Sequence, residues 1–203
     1  MINTIAMTDS GHLEQIERIQ RLTVAWMLIE AALSLFAAWR AHSPALIAFG
    51  GDSAIEVASA AVVLWRFRRQ SEHAERHAAR ITGLLLFALA GFIAIGSILS
   101  LAGYAEPKPS YLGMTVLAVA AILMPWLSRE KRRLSAISGS AALRADAAES
   151  ALCGYLSIIA LIGIVLNSVG HFRWADPVAA LVILPLVVRE GMEAIRGRAC
   201  QCA

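Results

Sequence analysis

Asp52 and Glu56 stand four residues apart in Gly50-Gly-Asp-Ser-Ala-Ile-Glu56, and Glu149 and Cys153 stand four apart in Asp146-Ala-Ala-Glu-Ser-Ala-Leu-Cys153. On a helix each pair shares one face, with Cβ atoms about 6 Å apart. Asp146, three residues before Glu149, joins the second stripe. Carboxylates and a thiolate are donors for a divalent cation. Two such pairs on facing helices converge four donors, as a tetrahedral site with bonds of about 2.0–2.3 Å requires. Glu30, in Ala25-Trp-Met-Leu-Ile-Glu-Ala-Ala, is a fifth acid in an apolar run. It fits a proton carrier beside the site as well as a neutral acid bonded to a neighbouring helix. Each of these acids costs on the order of 3 kcal/mol if the run lies in a bilayer. One isolated acid could be neutral and bonded to a serine such as Ser53 or Ser150. Two helically spaced sets point to a cation or proton site.

The elements that position these residues read as membrane spans. Of 203 residues, 58% are hydrophobic and 16% charged, with mean hydropathy +0.64. Soluble domains carry about 25% charged residues. Six apolar segments approach the ~20 residues that cross a bilayer: Leu22 to Trp39, Pro44 to Trp65, Ala78 to Tyr104, Tyr111 to Leu127, Ala141 to Val169, and Pro177 to about Val188 or beyond. The expected fold is therefore an all-α integral membrane protein, a six-transmembrane-helix bundle. Residues 1–18 form a tail or interfacial helix, 19–198 the membrane domain, and 199–203 a second tail. Fifteen of the eighteen lysines and arginines flank one side of the spans, leaving Arg40, Lys108 and Arg173 for the other. Both termini should then be cytoplasmic, in a plasma membrane or a bacterial-type inner membrane. The net charge of +3 sits at span ends, where topology and lipid headgroups explain it, so nucleic acid is not an expected partner.

Other residues carry weaker signals. His73 and His77, in the connection after the second segment, have zinc-compatible spacing but sit in a basic, solvated stretch that equally suits an exposed helical turn. Cys200 and Cys202 could catch a soft metal or lie in a frayed tail of reduced thiols. Asp176-Pro177 reads as a cap and first-turn proline for the sixth segment, and Pro125 and Pro185 predict kinks. Gly50, Gly51, Ala145, Ala147 and Ala148 would let the second and fifth segments approach closely. Ala88, Gly91, Ala94 and Ser97 give the third segment a small-residue face for a partner helix.

The stretch Phe49-Gly-Gly-Asp-Ser-Ala-Ile-Glu-Val57 resembles the second-span motif of the cation diffusion facilitator family, Ala-Asp-Ser-x-x-Asp/Glu. Leu143-Arg-Ala-Asp146 is similar to its fifth-span motif, and Trp174-Ala-Asp-Pro177 to its entry to span six. The resemblance covers roughly Arg18 to Arg198 and implies a secondary transporter rather than an enzyme. Its cargo would be a divalent cation exchanged for protons, exported by alternating access. By position it implies Asp52, Glu56, Glu149 and Cys153 as metal ligands. Asp146 and Glu30 would be nearby helpers or a proton relay, and His73 and His77 cytoplasmic metal candidates. The family's usual fifth-span histidine and aspartate are here Glu149 and Cys153, so selectivity does not carry over. Zinc is the first expectation, with cadmium, iron, manganese or cobalt open. The resemblance also implies a homodimer, no permanently bound cofactor, and a short form that lacks the cytosolic domain found in many members. A membrane metal sensor or accessory protein that binds without transporting is the alternative. An intramembrane enzyme fits poorly, since Cys153 would have no histidine base at its depth.

Overall fold

A computed structural model describes residues 2–67, 72–138 and 141–195. The regular structure of these residues is six helices: α1 (Ile2–Ala41), α2 (Pro44–Phe67), α3 (Glu72–Leu101), α4 (Tyr111–Ser138), α5 (Ala141–Gly170) and α6 (Ala175–Ile195). Each apolar segment of the sequence falls on one of them. α1 runs unbroken for 40 residues, about 60 Å at 1.5 Å per residue, which exceeds the ~30 Å hydrocarbon core. The stretch read as a tail or interfacial helix is helical from Ile2 and continuous with the first span. No proline interrupts it before Pro44. α4 and α6 continue through Pro125 and Pro185 respectively.

By length and composition, Glu14–Ala41, Gly83–Leu101, Tyr111–Ile137 and Asp146–Gly170 can cross a membrane. The outside of the bundle agrees. Phe92, Ile95, Ile98, Ile122 and Val169 are all more than 60% exposed, which water would not tolerate over so wide a band. The chain is an integral membrane protein. α2 is different, because no residue from Ser43 to Ile55 is exposed. It packs against α1, α3, α5 and α6, so Asp52 faces protein rather than lipid.

The three short turns meet at one end. Lys108 N donates to Ala41 O at 2.7 Å, Asn167 Nδ2 donates to Pro107 O at 3.1 Å, and Arg173 pairs with Glu106. The helices therefore alternate up and down. α1 ends with His42 at φ 52°, the left-handed residue of a helix stop, and Ser43 N closes it on Ala38 O at 3.3 Å. Ser43 then caps α2, its Oγ accepting from Leu46 N at 3.1 Å, with Pro44 in the first turn. Asp176 lies inside the first turn of α6 and is fully buried. It accepts from Ser43 Oγ at 2.5 Å and Ala45 N at 3.2 Å. It thus caps the start of α2 rather than its own helix, because the α1–α2 turn is packed directly over it.

The small residues also serve different neighbours from those expected. A Cβ on Gly50 would lie 2.8 Å from Ser34 Cβ on α1, and one on Gly51 would lie 2.7 Å from Leu89 Cδ1 on α3. Ala147 faces α4, where Ser128 Oγ donates to its carbonyl at 2.7 Å. The glycines of α2 seat it against α1 and α3, and α5 comes alongside without them. α5 and α6 meet tightly at Gly163, where an added Cβ would stand 2.4 Å from Ala179 Cβ. On α3, Ser97 is buried, whereas Gly91 opens outward with nothing near it.

Candidate metal centre

Glu30 is fully buried at the junction of α1, α2 and α5. Its Oε1 accepts from Ser53 Oγ at 2.8 Å and from Cys153 Sγ at 3.4 Å, and its Oε2 accepts from Trp26 Nε1. Helical spacing explains the set: Trp26 and Glu30 are one turn apart on α1, so the indole folds back onto the carboxylate. Three donors on one buried acid satisfy most of its hydrogen-bonding capacity. Cys153, expected to face the same way as Glu149, is thereby turned toward Glu30.

Asp52 sits one residue before Ser53 and points elsewhere. It is 1% exposed, and its carboxyl hydrogen-bonds the Glu190 carboxyl from α6. A carboxyl–carboxyl contact needs a proton on one partner. Asp52 Oδ1 is enclosed with no hydrogen-bond partner, a rare condition for a buried oxygen. Glu149, on the exposed side of α5, is near enough to feel the charges of Asp52, Asp146 and Lys131, and Glu190 feels Glu149 in turn. The structure thus joins Asp52 of α2 to Glu190 of α6, with Glu149 of α5 within electrostatic reach. Among the described residues, no three histidine, cysteine or acidic side chains close on one point as a finished ion cage. Glu56 lies one turn further along α2, and its side chain is outside the described residues. So are the side chains of His73 and His77 at the start of α3, and the whole of Cys200 and Cys202.

Asp146, whose charge Glu149 feels, is itself paired with a base. Lys131 Nζ pairs with its Oδ2 at 2.9 Å and donates to Ser150 Oγ at 2.9 Å. Gln20 Nε2 donates to the same Oδ2 at 2.6 Å. Lys131 is 0% exposed, an ammonium held entirely inside protein between α4 and α5. The charge of Asp146 is therefore matched by a lysine, and this network ties α1, α4 and α5 together.

Two of these residues escape a reading of the sequence alone. Lys131 stands within Arg129-Glu-Lys-Arg-Arg133, which looks like a solvated basic run. Its spacing from Leu127 and Leu134, both buried, places it on the inner face of α4. Glu190 follows Arg189 near the expected end of the sixth span. The buried Ile183 and Val187 continue as a helical stripe to Glu190 once α6 is known to reach Ile195.

A cluster of carboxylates with a buried, unpartnered oxygen can accept a cation or protons, and ligands must shed protons for a metal to enter. The family model for the cation efflux transmembrane domain matches residues 21–198, which span α1 from Arg21 through the end of α6. No curated protein matches the chain.

Proposed function

Because the chain belongs to the cation efflux family, also called the cation diffusion facilitators, we propose that this cation transporter exchanges a divalent metal ion, zinc first, for protons. The observation that carries the site is Asp52: a carboxylate at 1% exposure, on the enclosed central helix, with one oxygen left without a donor. Nothing but a cation or a proton balances such a group in a bilayer. Glu149 on α5 is the second ligand, and Glu56 and Cys153, each one turn away on its own helix, complete the set. Cys153 must rotate off Glu30 to join. An arriving ion supplies the attraction that draws these donors together.

Exchange with protons follows from the same groups. Without an ion, adjacent acids in a low-dielectric interior repel one another unless they hold protons. Metal entry displaces those protons, and protons arriving from the other side displace the metal. The ion is cargo, and the site needs no resident cofactor. Export from the cytoplasm, with both termini on that side, accords with the concentration of lysine and arginine at the termini end. The outward apolar face of α3 around Gly91, Phe92 and Ile95 suits a second copy of the chain.

Reconstituted vesicles with an internal pH dye test the proposal. Zinc addition should drive proton movement in the native chain, and Asp52→Asn and Glu149→Gln should each abolish it. Retention of native flux by both variants would place the cation path elsewhere. Zinc binding with no flux in the native chain would mean a sensor instead.

A further inference from the structure

We propose that Glu190 of α6 is a ligand of the transported ion, so that Asp52, Glu149 and Glu190 form a three-carboxylate donor set drawn from α2, α5 and α6. This rests on the proposed cation site at Asp52 and Glu149 and extends it to a third helix.

Three observations place Glu190 there. Its carboxyl is hydrogen-bonded to that of Asp52, and it lies within electrostatic reach of Glu149. The contact holds a proton between two acids from different helices, a proton that an arriving cation can displace. Asp52 Oδ1 is also buried without a hydrogen-bond donor, and the adjacent Ser53 bonds Glu30 instead. Native structures leave a buried oxygen unserved at sites where an ion or water completes it. Finally, the backbone brings α6 close at this level. Gly191 immediately follows Glu190, and a Cβ there would come within 3.4 Å of Gly83 O on α3. That close fit fixes the height of Glu190 along the bundle.

The chemistry of the set has a consequence for cargo. Carboxylates are hard donors, and a third one raises the preference for oxygen-seeking ions such as manganese and ferrous iron. Cys153 supplies the opposing soft donor. Glu190 therefore acts as a specificity-determining residue on the α6 side of the site. It also gives α6 a direct link to the ion, so cargo binding would pull α2, α5 and α6 together.

The test uses the full chain in detergent, with zinc, manganese and cadmium binding measured by calorimetry for the native protein and for Glu190→Gln, Glu190→Cys and Asp52→Asn. Glutamine retains a hydrogen bond to Asp52, so Glu190→Gln should melt with the native chain while losing at least about tenfold in manganese affinity, equivalent to about 1.4 kcal/mol. Glu190→Cys supplies a thiolate. It should raise the cadmium-to-manganese affinity ratio and add one sulfur to the cadmium shell beyond the native Cys153, as read at the absorption edge, which a packing role would not produce. Should Glu190→Gln fail to fold, the cysteine variant carries the test alone. Native affinities and an unchanged ratio in both Glu190 variants, with binding lost in Asp52→Asn, would overturn the role of Glu190 and leave the site standing. Binding retained in Asp52→Asn as well would overturn both.

Discussion

Removing either member of the Lys131–Asp146 pair should cost far more than removing both. Lys131 is 0% exposed and Asp146 is 29% exposed, with 2.9 Å between Nζ and Oδ2. Asp146→Leu leaves the ammonium enclosed with the Ser150 hydroxyl and the more distant charge of Glu149, and stranding one charge of a buried pair costs about 3–5 kcal/mol. Lys131→Met leaves Asp146 with Gln20 and partial access to the outside, so the penalty falls to about 1–3 kcal/mol. The double variant Lys131→Met/Asp146→Leu strands nothing and should lie within about 1 kcal/mol of native, because apolar replacements of similar volume recover what the ion pair gave. The cycle therefore predicts a coupling of at least about 2 kcal/mol. Denaturant unfolding of detergent-solubilised protein measures it. Single variants that each cost under about 1 kcal/mol and add simply in the double would refute a buried, mutually dependent pair.

Two further outcomes test how the helices are held. Asp176→Ala removes the acceptor for Ser43 Oγ and Ala45 N. It should destabilise the chain by about 2–4 kcal/mol, more than the ~1 kcal/mol expected for an ordinary helix cap, as read from the thermal midpoint. Equal loss in Asp176→Ala and Ser43→Ala would show that Asp176 adds nothing beyond the cap. Gly163→Ala puts a methyl 2.4 Å from Ala179 Cβ and should cost about 1–3 kcal/mol by overpacking. Adding Ala179→Gly should restore most of it, and no restoration would mean that α5 and α6 do not meet at that point.

The six helices were legible because apolar runs, prolines and the asymmetry of basic residues each constrain span number and direction. Less legible was which neighbour each polar residue meets. Helical spacing alone places Glu149 and Cys153 on one face, but a face is broad. Cys153 lies far enough round to reach Glu30, while Glu149 stays on the exposed side of α5, near Asp146 and Lys131 and within electrostatic reach of Asp52. That Asp146 has a partner lysine on α4 was not legible, because that lysine is hidden among charged neighbours. Asp176 carries the signature of a cap, but sequence cannot say that the helix end it serves is 131 residues away at Ala45. Glu190 lies where hydropathy ends a span, although the helix itself goes on.

Crystals of the chain grown with zinc, or with manganese in its place, offer the most direct measurement: anomalous scattering at the metal edge. One strong peak between α2 and α5, with Asp52 and Glu149 oxygens at bonding distance of about 2.0–2.2 Å, is the predicted result. Peaks confined to the helix ends, with no metal at Asp52 in the metal-loaded crystal, would contradict a cation site inside this bundle.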